Sequence, residues 1–325
     1  MPEPRLSVES WWSYDKRRRS RARCRVFAWT RFVIGFYTEY FGLHARPFTL
    51  VPDPDFLFWG PVHRGAFAMM EYGMMTQAPI TLITGEVGAG KTTLLHYLLR
   101  SVEDDVIVGL VANTQGDRGE ILRWAMLALD QRSEPGETYV DLFSRFQSYL
   151  IAQYAAGRRV MLIFDEAQNL SREALEELRM LTNINSGRDE LLQLVLVGQP
   201  ELREIVSAPD LTQFAQRVSA SFHLKAMDAE AVSGYITHRL SVAGAKREIF
   251  SPDVRQLVFE ATGGVPRLVN KLCDMALVYA YSADSPVVDA SIVEQVIEDG
   301  MLVGAPVRPT EKTNGPLVLD ARTRV

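Results

Sequence analysis

The segment Gly85-Glu86-Val87-Gly88-Ala89-Gly90-Lys91-Thr92-Thr93 constrains this chain more than any other stretch. The apolar, β-branched run Ile80–Thr84 leads directly into it, and the amphipathic segment Thr92–Arg100 leads out. Strand, glycine-rich turn and helix are the setting in which G-x-x-x-x-G-K-[ST] cradles a phosphate chain. The glycines let the backbone curl so that successive N–H groups point inward. The helix N-terminus adds a partial positive charge. A chance glycine-rich turn would lack these flanks. The pattern therefore predicts that Gly85 to Thr93 bind ATP, with Lys91 on the β/γ oxygens and the Thr92 hydroxyl on Mg²⁺.

Downstream, short apolar runs alternate with helical-period segments. The strand candidates are Ile80–Thr84, Val106–Val111, Val160–Phe164, Leu192–Val197 and a shorter one near Ser221–Leu224. Glu120–Leu129 and Val140–Ala155 are examples of the helices between them, and His63–Met75 reads as a helix ahead of the first strand. Near-continuous apolar strands separated by helices predict a parallel sheet covered on both faces. From about Asp228 the strands stop. Ala229–Leu240, Pro252–Ala261, Pro266–Ser282 and Asp289–Glu298 read as helices, with Ser251 and either Asp289 or Ser291 as N-caps.

This pattern also orders the remaining candidate residues. Val160–Phe164 ends in Asp165-Glu166, and ligands of open α/β sheets lie at the carboxyl ends of strands. Asp165 is thus a second oxygen ligand for Mg²⁺, and Glu166 the carboxylate that orients attacking water. Leu192–Val197 ends in Gly198-Gln199-Pro200, which puts Gln199 between the two motif strands; a glutamine bonding local backbone is nearly as good a reading. Arg217 precedes the fifth strand, and Arg267 opens a helix of the C-terminal part. A guanidinium can stabilise γ-phosphate charge, Arg217 on a neighbouring subunit and Arg267 on its own, whereas the plainer reading of each is a surface ion pair.

The net charge of −5 conceals an asymmetry: residues 1–34 carry nine basic side chains against three acidic ones, so the body is acidic. That argues mildly against a nucleic-acid partner. Lys16–Arg25 with Val26–Tyr37 could anchor to anionic lipid, but basic blocks are more often solvated tails, and a disordered leader is the expectation. Cys24 and Cys273 are too far apart for a metal motif, which suits a reducing compartment. No apolar run is long enough to span a bilayer. The expected division is a basic leader (1–35), an α/β nucleotide-binding domain (36–227), a helical lid (228–302) and a disordered tail (303–325).

Taken together, the glycine-rich loop, Asp165-Glu166, a polar residue after the fourth strand and a helical part opening with Gly264-Val265-Pro266-Arg267 resemble the AAA+ ATPases. Phe41-Gly42-Leu43, Arg46-Pro47-Phe48, Pro52-Asp53-Pro54, Phe56, His63, Gly85-Glu86-Val87-Gly88, Asp165-Glu166-Ala167-Gln168-Asn169-Leu170 and Gly198-Gln199-Pro200-Glu201-Leu202 are similar to a narrower set. That set is the general secretion pathway A (ExeA-like) family with its pilus- and exopolysaccharide-associated relatives. The resemblance implies a P-loop αβα sandwich with a five-stranded parallel sheet and a small helical lid, with nucleotide between them. It implies Arg267 as lid sensor, Arg217 as an arginine finger acting in trans within a homo-oligomer, such as a ring, and Gln199 in place of a sensor asparagine. Phe48–Pro54 would line the adenine side. Secretion-type members continue into a membrane-spanning helix and a wall-binding domain, so the shorter exopolysaccharide-type relatives match this length better.

The expectation is an ATPase, cytoplasmic or peripheral at the inner membrane, that assembles with ATP to remodel or regulate an envelope machine through an envelope-associated protein partner. The alternative is a DNA-associated AAA+ regulator of transposition or replication. A sensor that binds ATP without turning it over fits least, because Lys91 and Glu166 are both present.

Overall fold

The computed structural model describes residues 35–112, 120–132, 134, 136–187 and 189–301. The expected leader, apart from Gly35, and the expected tail lie outside the described residues. In chain order, α1 (Gly35–Phe41) and α2 (Pro61–Met75) precede β1 (Ile80–Gly85), α3 (Lys91–Ser101) and β2 (Val106–Val111). Then come α4 (Glu120–Ala128), α5 (Tyr139–Ala155), β3 (Arg159–Phe164), α6 (Arg172–Leu181) and β4 (Leu192–Gly198). The α/β part closes with α7 (Pro200–Val206), α8 (Thr212–Arg217) and β5 (Val218–Leu224). Four helices follow: α9 (Ala229–Val242), α10 (Pro252–Thr262), α11 (Pro266–Ser282) and α12 (Ala290–Glu298).

The five strands form one parallel sheet in the order β2-β3-β4-β1-β5. Alternate residues serve opposite faces. Leu82, Leu162, Phe164, Leu194 and Leu196 pack with buried residues of α4 to α8, such as Ile121, Phe146, Leu178 and Phe214. Ile83, Met161, Ile163, Val195 and Val197 pack with Ala66 and Met70 of α2 and Leu94, Leu95 and Leu98 of α3. Burial on both faces is why the central strands are continuous apolar runs rather than alternating ones. β5 begins at Val218, three residues before the expected start at Ser221, because it pairs with β1 from Ile80 onward.

The C-terminal helices build their own core, and one boundary falls differently from the expected division. Tyr37, Phe41, Phe48 and Phe56, expected in the α/β domain, are buried in the helical cluster with Val232, Ile236, Phe250, Leu272 and Val293. Phe48 meets Phe250 edge to face at 5.9 Å between centroids. Asp274 of α11 accepts hydrogen bonds from the Tyr37 hydroxyl and from Arg46. Burial, with the anionic Asp274 carboxylate beside it, holds the Tyr37 hydroxyl well above the usual phenol range. Thus residues 35–56 cross over and belong to the lid core before the chain enters α2. Asp289 caps α12, its side chain accepting from the Ile292 N–H, whereas Ser251 occupies the N-cap of α10 without a side-chain hydrogen bond.

A candidate nucleotide cleft between the strand ends and the helical lid

Gly85 ends β1, and the backbone turns through Gly88 (φ 81°) and Gly90 (φ 97°) into α3. These left-handed conformations suit glycine. The Lys91 ammonium reaches back across the turn, donating to the carbonyls of Gly85 at 2.6 Å and Glu86 at 3.0 Å. Lys91 is only 7% exposed. Burial pushes its pKa down, while the carboxylates of Glu166, Asp165 and Glu86 act the other way. A desolvated cation ringed by backbone is a seat for an anionic ligand. Beneath the loop, the buried His63 ring donates from Nε2 to the Ala89 carbonyl at 3.2 Å.

β3 delivers the carboxylates. The Thr92 hydroxyl lies 3.4 Å from Asp165 Oδ2, and the Glu166 N–H donates to Asp165 Oδ1 at 2.9 Å. Burial raises the Asp165 carboxyl, and that N–H partly offsets it. Glu166 adopts a left-handed backbone (φ 55°), uncommon for a side chain of this kind and a form of strain that clusters at functional sites. Its carboxylate accepts from Gln168 Nε2 at 2.6 Å and Gln199 Nε2 at 3.2 Å. These bonds, that of Gln168 foremost, hold its pKa below the usual glutamate range.

The lid closes the cleft. The Arg267 N–H at the start of α11 donates to the Gly88 carbonyl at 3.2 Å. One cleft is lined by Val87, Gly88, Gly90, Lys91, Thr92, Thr93, Glu166, Gln199 and Arg267, with Thr49 to Asp53, Tyr235, Arg239 and Asn270 at its far end. Gly85, Glu86, Ala89 and Asp165 belong to the same loop and strand ends. Arg239 carries the far-end segment, donating to the Pro47 carbonyl at 2.5 Å and the Thr49 carbonyl at 3.5 Å, and Asn270 Nδ2 donates to Thr49 at 3.2 Å. The Arg239 guanidinium lies over the Phe56 ring at 4.9 Å.

Arg217 stands apart from this group. It ends α8 at the start of β5, beside Val218, which pairs with Ile80 at the opposite end of β1 from the loop. At a strand rise of ~3.3 Å per residue, that is about 16 Å from its own phosphate seat. There it donates to the Thr182 carbonyl, Glu190 and Asn183.

The residues fit a triphosphate and its metal. The glycine-rich turn and the buried Lys91 ammonium suit the phosphates. Thr92 and Asp165 supply the one or two hard oxygen donors that Mg²⁺ takes from protein when phosphates supply others.

A P-loop strand-turn-helix on a parallel 2-3-4-1-5 sheet, capped by a helical lid, defines the AAA+ class. Residues 74–206 match an AAA domain family. Over 249 residues, 77% of this chain, the sequence is 36% identical to General secretion pathway protein A of Aeromonas hydrophila, and the match spans 46% of that protein. The chain thus carries an AAA domain and resembles the general secretion pathway A family, and it spans about half the length of this curated relative. Among solved structures, the Cdc6p protein of Pyrobaculum aerophilum shares the fold at TM-score 0.60 and 14% identity, covering 77% of this chain and 71% of that one. The Aeropyrum pernix ORC2 protein, solved in ADPNP–ADP complexes, does so at TM-score 0.54 and 17% identity, covering 76% and 68%.

Two features are not legible in the sequence. Gln168 stands in the sequence only as part of the Asp165–Leu170 motif, yet its side chain holds Glu166. Arg239 and Asn270 carried no signal, because their partners lie about 190 and 221 residues away.

Proposed function

We propose that this protein binds and hydrolyses ATP with Mg²⁺ in the cleft between the strand ends and the lid, and that it works as a homo-oligomer on an envelope machine. The observation that carries the chemistry is the convergence of Lys91, the Thr92–Asp165 pair, Glu166 and Arg267 on that one cleft. Lys91 binds the phosphate chain at low local dielectric, where its charge counts most. Thr92 and Asp165 would hold the metal, which would supply positive charge to offset that of the phosphates. Glu166, kept anionic by its amide donors, orients the attacking water, and Gln199 steadies it. Arg267 reads the nucleotide from the lid. Arg217, turned away from its own cleft, serves a neighbour's, so turnover belongs to the assembly.

The envelope assignment rests on the resemblance to General secretion pathway protein A. The protein then works in the cytoplasm or at the inner face of the membrane; among the described residues no helix is long and apolar enough to cross a membrane. Co-purification with Glu166→Gln, against Lys91→Ala as the control without nucleotide, tests it. Envelope or polysaccharide-export proteins retained only by Glu166→Gln support the assignment. Retention of DNA or a transposase instead contradicts it and leaves the ATPase chemistry standing.

A further inference from the structure

We propose that Gln168 is the positioning residue of this site: it holds the Glu166 carboxylate and ties it to the turn between β4 and α7. The inference rests on the ATPase reading and deepens it. Gln168 Nε2 donates to Glu166 Oε2 at 2.6 Å, while its Oε1 accepts from the Gln199 backbone N–H at 2.9 Å. A backbone N–H can only donate, so the oxygen of the amide must face it and the NH₂ must face the carboxylate. The amide is therefore oriented by chemistry at both ends. Gly198 leaves the room for it, since a Cβ there would lie 2.9 Å from Gln168 Oε1 and 2.7 Å from Leu202 Cδ2.

The consequence is mechanical. Gln199 directly follows β4, the strand between β1, which carries the phosphate loop, and β3, which leads into Asp165 and Glu166. Gln199 also places its own side-chain NH₂ on the same Glu166 oxygen, at 3.2 Å. A shift of the β4–α7 turn thus reaches the carboxylate by two routes, one through each amide. Glu166 sits in a left-handed backbone, and both amides bear on its carboxylate.

Two variants separate positioning from bracing. Gln168→Met keeps the bulk and removes both hydrogen bonds. Gln168→Glu keeps an acceptor for the Gln199 N–H but turns a second carboxylate toward Glu166. Both are expected to lower kcat for ATP by about 100-fold, the cost of a misplaced catalytic group, and to leave the Kd for fluorescent mant-ATP within about threefold of wild type. A residue that only braced the turn would be rescued by Gln168→Glu, so hydrolysis by that variant within about threefold of wild type overturns the proposal. A readout without turnover uses ¹⁵N spectra of the nucleotide-free protein. Glu166→Ala is expected to move the Gln168 side-chain amide signal, and an unmoved signal overturns the bridge. A wild-type protein that never hydrolyses ATP overturns the ATPase reading and, with it, the role in turnover; the amide signal still decides the contact.

Discussion

The Arg267 backbone N–H donates to the Gly88 carbonyl at 3.2 Å, and a Cβ on Gly88 would lie 2.4 Å from the Arg267 Cβ. The first turn of α11 is therefore docked directly on the phosphate loop, with no Gly88 side chain between them. Gly88→Ala should oppose this twice: its φ of 81° disfavours a side chain by about 1–2 kcal/mol, and the methyl pushes α11 away. The expected outcome is ATP affinity weakened by about tenfold or more in a mant-ATP titration, corresponding to at least ~1.4 kcal/mol. Binding at wild-type affinity would mean that loop and lid are not coupled.

Arg217 offers a test of assembly. Its ion pair with Glu190 is about one-third exposed on each side, so removing it should cost the fold about 1 kcal/mol or less. Arg217→Ala should bind ATP normally and lose hydrolysis by about 10³-fold, the scale of an arginine supplied in trans. Lys91→Ala should be inactive for a different reason, having lost its own phosphate seat while keeping a working Arg217. Mixing the two inactive variants should restore a measurable fraction of activity, because some interfaces then pair an intact loop with an intact arginine. Mixtures as inactive as their components would argue against action in trans.

His63 predicts a pH dependence. Burial holds its pKa below the ordinary histidine value, against the opposing hydrogen bond to the Ala89 carbonyl. The unfolded chain therefore takes up a proton at a pH where the folded one does not. Stability associated with His63 is complete above about pH 6.5 and declines as the pH falls from there toward the depressed folded pKa, by at most ~1.4 kcal/mol per pH unit. His63→Gln retains an N–H donor for Ala89 without a titrating ring. Thermal unfolding of the two proteins should thus diverge below pH 6.5, the wild type losing more. Parallel curves would remove His63 from the account.

Phe48 tests the crossover of the N-terminal segment. It is fully buried against Phe250 in the lid core, and Thr49, next in sequence, lines the far end of the cleft. Phe48→Ala should destabilise the lid by about 3–5 kcal/mol. It should also weaken ATP binding, because Thr49 to Asp53 lose their anchor. Melting with unaltered ATP affinity would separate the segment from the nucleotide.

What could be read from the sequence follows from how local each feature is. The strands β1, β3 and β4 are buried on both faces, so each is an uninterrupted apolar run, and the glycine loop and Asp165-Glu166 are contiguous motifs at their ends. The position of Gln199 between the two motif strands also followed, since β4 does lie between β1 and β3. The short β5 start at Val218 was less visible because its burial is broken. Tyr37, Phe41, Phe48 and Phe56 show aromatic character but no period that says which core they enter; only the fold joins them to helices some 200 residues on. Gln168 and Arg239 act through side-chain hydrogen bonds to partners that only the fold brings near, for which a linear sequence carries no spacing signal.

In the proposed function one cleft binds ATP through Lys91 and hydrolyses it through Glu166. The most direct measurement sets ATP hydrolysis beside mant-ATP affinity for the wild type, Lys91→Ala and Glu166→Gln, at concentrations where the protein assembles. Glu166→Gln is expected to bind within about threefold of wild type yet hydrolyse at least ~100-fold more slowly, and Lys91→Ala to lose binding. Hydrolysis by Glu166→Gln at the wild-type rate, or undiminished binding by Lys91→Ala, would contradict it.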